Sequence, residues 1–378
     1  MNWGKSSALA HEHHSINLGN YLKENKLLIY LSGAQLLGPG VLQSTVWPCD
    51  QPLTLFSEPD LCQKDNDMKP VTAIVEIFNK YKVYTERYLN NAADKTIILV
   101  NGSLATTASF AQTVRYLQPR FNVVLYDQPY AGQSRPHNRY GPPICKEDEA
   151  EILLELVEHF RADHVLSFSW GGAATLLALA QRPRRIEKAV ISSFAARINK
   201  PMRDYLESGL SLLQACDRFN VGRLVNNTIG KHLPSLFKRF NYRHISSLAE
   251  HEYRQMHFHI NEVLTQDTQC YVDCADAIEV PLLFVNGEWD EYTSAQDARL
   301  FAGHVRQCQF STIKNTGHFL DMEHKAAWHD TQQALLGFLL PASSLVMPKS
   351  TPPLGSRHRY AASDRIFSPS ATHSHLPR

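Results

Sequence analysis

The chain has 378 residues, 43% hydrophobic and 20% charged, enough for a large core in one big domain or two small ones. Its 38 Lys and Arg balance 37 Asp and Glu, and a formal net charge of +1 excludes a global electrostatic pull toward nucleic acid or a membrane surface. Seven scattered cysteines with no C-x-x-C pair fit reduced cytoplasmic thiols better than a disulfide frame or a zinc site.

The first 67 residues differ from the rest. His11, Glu12, His13 and His14 form a terminal cluster of the kind that is ordinarily solvated, so no metal site is expected there. Residues 27–47 are apolar, but Gly33, Gly38, Pro39 and Gly40 interrupt them short of a ~20-residue membrane span. No secretory signal is read either. Residues 1–67 are taken as an extension, poorly ordered or outside the functional chain, which is expected to begin near Met68.

From residue 71 the pattern is regular. Residues 71–77 and 81–86 alternate as a hairpin. Residues 96–100 and 122–126 are short apolar runs suited to buried strands, with a helix predicted over 108–117 between them. Residues 146–160 form a long amphipathic helix with Ile152, Leu153, Leu156 and Val157 on one side. Further strands are predicted at 165–168, 189–192, 282–285 and 309–313. Alternating strands and helices imply an α/β fold with a mostly parallel, doubly wound sheet. Between 199 and 279 the alternation gives way to helices, including 202–215, 221–225 and 251–264. Such an insertion reads as a helical cap over the strand ends, where open sheets bind ligands. The core is then 68–198 and 280–341, and the Pro-, Ser- and His-rich residues 342–378 are predicted to be a disordered tail.

The chemistry is placed at H-V-L-S-F-S-W-G-G-A-A-T-L-L, residues 164–177. An apolar strand runs straight into strong helix formers, so the chain must turn sharply at Ser169 and Trp170, which Gly171 and Gly172 permit. This is the strand-turn-helix setting of the nucleophile elbow G-x-S-x-G, with Ser167 in place of the first Gly. A serine nucleophile needs a base, and the base needs an orienting carboxylate. Asp290 follows one predicted strand in N-G-E-W-D, and His318 follows the next in N-T-G-H-F-L. The order Ser169, Asp290, His318 is that of the α/β-hydrolase fold, with the cap inserted before the acid-bearing strand. Glu288 and Glu291 compete for the acid role. Oxyanion donors are expected at the amide of Trp170 and the amide of Ser103, with Leu104 as its neighbouring alternative. Asp127 is read as structural, bonding turn amides.

Five segments carry a family likeness: V-N-G-S-L-A-T-T-A-S-F-A-Q-T-V from Val100, D-Q-P-Y-A-G-Q-S from Asp127, S-F-S-W-G-G from Ser167, T-I-G-K-H-L-P-S-L-F-K-R-F-N-Y-R-H from Thr228 and D-E-Y-T-S-A-Q-D-A-R from Asp290. The chain resembles the bacterial 3-hydroxyacyl-ACP:CoA transacylases of polyhydroxyalkanoate synthesis. Several motifs are shared with the sister 3-(3-hydroxyalkanoyloxy)alkanoate synthases of rhamnolipid formation. The resemblance, over residues 68–340, implies transfer of an (R)-3-hydroxyacyl group from acyl carrier protein (ACP) to CoA through an acyl-serine. It also implies no bound cofactor, CoA as co-substrate, and ACP as partner. Water as acceptor would give a thioesterase instead, and a second hydroxyacyl chain an ester-linked dimer. A non-catalytic binding protein of the same fold is the reading from a different class, opposed by the intact triad. ACP presents an acidic helix, so Lys231, Lys238, Arg239, Arg243 and Arg254, interleaved with Phe237, Phe240 and Tyr242, are nominated as its docking surface. A solvated helix face is the alternative reading of this run of charge, and Arg182, Arg184 and Arg185 are the second choice of surface.

Overall fold

Short apolar strands make the centre of the sheet. In the computed structural model, which describes residues 69–139, 141–265 and 269–341, the strands are β1 (Val71–Ile77), β2 (Tyr81–Tyr88), β3 (Thr96–Val100), β4 (Asn122–Tyr126), β5 (His164–Phe168), β6 (Lys188–Ser192), β7 (Leu282–Gly287) and β8 (Cys308–Ile313). The extension with His11 to His14, the apolar residues 27–47 and the tail 342–378 lie outside the described residues. The three-residue connection 78–80 places both Phe78 and Asn79 at positive φ, and the Lys80 amide closes the turn on the Ile77 carbonyl at 2.9 Å.

The sheet order is β1-β2-β4-β3-β5-β6-β7-β8, with β1 and β2 antiparallel and the six strands from β4 to β8 parallel. Burial on both faces explains why the central strands read as continuous apolar runs: Ile97, Ile98, Leu99 and Val100 are all fully buried. On one face lie α2 (Lys146–Phe160) and α3 (Gly171–Ala180); on the other lie α1 (Ala111–Leu117) and the last helix of the core. The strand order reverses at β3, which has β4 on one side and β5 on the other. A crevice opens at the carboxyl ends of β3 and β5, where such folds hold ligands.

The insertion between β6 and β7 forms α4 (Lys200–Gln214), α5 (Arg218–Asn227), α6 (Ser235–Ser247), α7 (Glu250–Thr265) and α8 (Gln269–Ala275). Side-chain caps start two of these: Asn199 accepts the Met202 amide at 3.0 Å, and Asp217 accepts the Asn220 amide at 3.1 Å. The helices α4 to α7 enclose their own apolar cluster, centred on Leu206, Val221, Ile245, Tyr253 and Ile260. The fifth helix does not belong to it. Val272 and Ala275 of α8 pack on α3 in the main core, so the cap proper ends near Thr265 rather than at residue 279. After β7 come α9 (Ala295–Ala298) and, after β8, α10 (Lys325–Leu339), which His324 caps through the Ala327 amide at 3.1 Å. Among the described residues no helix is long and apolar enough to cross a membrane.

Candidate active site

Ser169 sits at the end of β5 with φ of +50°, a left-handed backbone that L-residues adopt only where the surroundings enforce it. The enforcement is visible. The Ser169 amide donates to the Ser192 carbonyl at 2.8 Å, and the Gly172 amide returns to the Ser169 carbonyl at 2.8 Å. A Cβ on Gly171 would lie 2.5 Å from the Asn101 carbonyl oxygen, so the turn passes the β3 loop too closely for any side chain. Ser167, at the position usually held by Gly, is fully buried and small enough to fit.

His318 Nε2 lies 3.0 Å from Ser169 Oγ, and His318 Nδ1 lies 2.8 Å from Asp290 Oδ2. The three predicted residues therefore form one hydrogen-bonded chain. Asp290 is 3% exposed, and it also accepts the Tyr292 and Thr293 amides at Oδ1 and the Thr293 hydroxyl at Oδ2, 2.5 Å away. Burial alone would raise its pKa. The His318 charge and these hydrogen bonds outweigh burial and hold the carboxyl down at about 2. Neither competing acid is placed for the role: Glu288 is exposed and accepts the Asn315 amide, while Glu291 pairs with Lys231 at 2.9 Å.

Residues not singled out in the sequence hold the histidine loop. The Glu323 carboxylate accepts the amides of Gly317 at 2.7 Å and Phe319 at 3.1 Å, one on each side of His318. Ser193 donates its hydroxyl to the His318 carbonyl at 2.7 Å. Asp127 bonds amides as expected, those of Thr107 at 2.8 Å and Gln133 at 2.7 Å, although burial pushes its carboxyl up to about 7. Its link to Thr107 ties the β4 loop to the loop after β3, which carries the predicted oxyanion donors. Leu104 in that loop has φ of +56°, and its carbonyl meets His244 Nε2 from the cap at 2.7 Å. Among the described residues no backbone carbonyl accepts the amides of Ser103, Leu104 or Trp170.

A cavity of about 140 Å³ opens onto Ser169 and His318 between core and cap. Phe110, Val225, Leu233, Phe237 and Phe240 give it a mainly apolar lining. Such a wall suits an alkyl chain.

The nominated docking cations divide. Lys231 is paired with Glu291, and Lys238 turns its ammonium onto the Lys231 carbonyl at 2.6 Å. Arg254, on α7, pairs with Glu250. Arg239 and Arg243 of α6 are exposed. Of the second choices, Arg182 pairs with Glu279 at 2.9 Å and Arg185 donates to the Arg161 carbonyl at 3.1 Å.

The alpha/beta hydrolase fold family matches residues 95–325. The (R)-3-hydroxydecanoyl-ACP:CoA transacylase of Pseudomonas putida is 60% identical over 78% of this chain and 100% of its own length. That of Ectopseudomonas oleovorans is 64% identical over 72% of this chain and 93% of its own. The chain belongs to this transacylase family of alpha/beta hydrolases. Solved structures agree on the fold. MGS-M2, an alpha/beta hydrolase enzyme from a deep-sea metagenome library, is 18% identical, covers 74% of this chain and 100% of its own, and has a TM-score of 0.59.

Proposed function

We propose that the chain moves an (R)-3-hydroxyacyl group from ACP to CoA through an acyl-Ser169 intermediate, supplying medium-chain polyhydroxyalkanoate precursors in the cytoplasm. The observation that carries this reading is the Ser169–His318–Asp290 hydrogen-bonded chain, set in a family whose relatives at 60–64% identity bear that activity in their names.

His318 Nε2 takes the Ser169 proton as Oγ attacks the thioester carbon. Asp290 fixes the tautomer in which Nδ1 carries the hydrogen and stabilises the imidazolium that forms. The amides of Trp170 and of Ser103 or Leu104 bear the oxyanion, a contribution of ~3 to 4 kcal/mol for one such donor. His318 then protonates the departing ACP thiol. In the second half the CoA thiol gives its proton to His318 and attacks the acyl ester, and Ser169 regains its hydrogen. No bound cofactor enters either half, and CoA is a co-substrate. ACP is taken to dock by its acidic helix on the exposed Arg239 and Arg243 of α6.

The test is mass spectrometry of the products from 3-hydroxydecanoyl-ACP with and without CoA, together with the intact mass of the enzyme. An acyl adduct on Ser169 and 3-hydroxydecanoyl-CoA support the reading. Free 3-hydroxy acid at the same rate with or without CoA would make the protein a thioesterase, and an ester-linked dimer would make it a synthase of the sister kind.

A further inference from the structure

A second cavity, of about 20 Å³, shares the loop 101–105 with the apolar one. It has room for a single water-sized group. Most of its polar wall is closed on itself. Lys146 Nζ pairs with Glu149 Oε2 at 2.6 Å, and Tyr130 donates its hydroxyl to Glu149 Oε1 at 2.7 Å. Gln255 exchanges two hydrogen bonds with the Ile144 backbone, at 2.7 and 3.0 Å, and the Ser103 hydroxyl is turned to Met256 Sδ at 2.8 Å.

Three side-chain polar atoms of the residues that line it are left over. Trp170 Nε1, Gln128 Oε1 and Asn101 Oδ1 are buried with no hydrogen-bond partner. Gln128 is 6% and Asn101 7% exposed, so bulk water does not reach them freely. One is a donor and two are acceptors. An anion would face two amide oxygens beside Glu149, and a cation would face an N–H beside Lys146. A neutral hydroxyl suits the mixed set, because it accepts from the indole N–H and donates its one hydrogen to either amide oxygen.

The position is equally specific. Trp170 follows Ser169 directly, and the loop that lines both cavities carries the other oxyanion candidates, so this cavity adjoins the one that opens onto Ser169. We infer that Trp170, Gln128 and Asn101 bind the 3-hydroxyl of the acyl chain and set the preference for hydroxylated over plain acyl substrates. This rests on the transacylase reading. Binding the hydroxyl satisfies the indole N–H and one of the two amide oxygens, and a chain without it leaves all three unpaired. Sites built to bond a substrate hydroxyl reject analogues lacking it by large factors for this reason.

The experiment compares acylation of Ser169 by 3-hydroxydecanoyl-ACP and decanoyl-ACP, without CoA, by intact-protein mass. Wild type is expected to prefer the hydroxylated donor by about a hundredfold. Trp170→Phe and Gln128→Met should each reduce that ratio at least tenfold, with melting temperatures reported beside the rates. The same ratio is read as affinities of 3-hydroxydecanoyl- and decanoyl-pantetheine for Ser169→Ala, with and without each second substitution, so it survives a failure of acylation. No preference in wild type, or an unchanged ratio in both folded variants, overturns the inference. Failure to transfer to CoA overturns the transacylase reading alone, since the ratio is set before any acceptor arrives.

Discussion

Replacing Asp290 by Asn tests the triad at the atom where its geometry is most constrained. Oδ1 accepts two backbone amides, so the carboxamide oxygen must stay on that side. The NH2 group then takes the place of Oδ2, facing His318 Nδ1 at 2.8 Å. Two donors cannot share that contact. The imidazole moves its hydrogen to Nε2, the nitrogen 3.0 Å from Ser169 Oγ, and can no longer take the serine proton. The expected loss of acylation rate is ~10⁴, about 5 kcal/mol of transition-state stabilisation. Rapid-quench acylation by 3-hydroxydecanoyl-ACP measures it, and a loss below tenfold, or a larger loss in Glu291→Gln, refutes the assignment.

The same substitution has a stability signature. A carboxyl held at about 2, against an ordinary 3.8, contributes on the order of 2 to 3 kcal/mol at ~1.4 kcal/mol per pH unit. Because the folded value is the lower one, this contribution is complete above about pH 4 and is lost as pH falls toward 2. Urea melts should therefore show wild type ahead of Asp290→Asn by that margin at pH 7, with the gap narrowing near pH 3. A gap that does not change with pH would mean that the carboxylate charge is not what stabilises the loop.

Ser169→Ala should abolish the acyl adduct while keeping a wild-type circular dichroism spectrum; retained turnover would move the nucleophile elsewhere. Gly171→Ala should lose about 1 to 3 kcal/mol, read as a lowered melting temperature, since its Cβ would meet two carbonyl oxygens of the β3 segment at 2.5 and 2.9 Å. Arg239→Glu with Arg243→Glu should raise KM for acyl-ACP several-fold at low salt, less at high salt, and leave a short thioester substrate unchanged. An unchanged KM at low salt would remove α6 from the docking surface.

The strands were legible because burial on both faces writes itself as apolar runs, and each observed strand lies within two residues of its prediction. The hydrogen-bonded meeting of Ser169, His318 and Asp290 was legible because chemistry and topology impose an order that three residue types can display. Contacts that depend on distant loops meeting left no such mark. Nothing in the spacing announces that Ser193 holds the His318 carbonyl, or that Lys231 is neutralised by Glu291 some 60 positions away. The extent of α6 was missed, although Pro234 before Ser235 and the apolar positions Phe237, Phe240 and Ile245 offered a helical start and face. The end of the cap was misplaced because α8 is as helical in pattern as its neighbours, and only packing tells that it serves the core.

Choice of acceptor is the remaining step that the pocket must control. Hydrolysis of an acyl-serine runs downhill, whereas transfer to a thiol restores a thioester, so a transacylase has to win kinetically. The His318 base favours the thiol, whose pKa near 8.5 lies far below the ~15.7 of water. Exclusion of water supplies the other part. His318 is 3% exposed, and Phe237 and Phe240 of α6 roof the cavity with hydrocarbon. Phe240→Ser places a hydroxyl and added space in that roof. The expected result is a several-fold larger fraction of free 3-hydroxydecanoic acid relative to 3-hydroxydecanoyl-CoA at saturating CoA, measured by mass spectrometry. If the partition stays at the wild-type value while the variant remains folded, the roof does not exclude water, and selectivity must come from how tightly CoA itself is held.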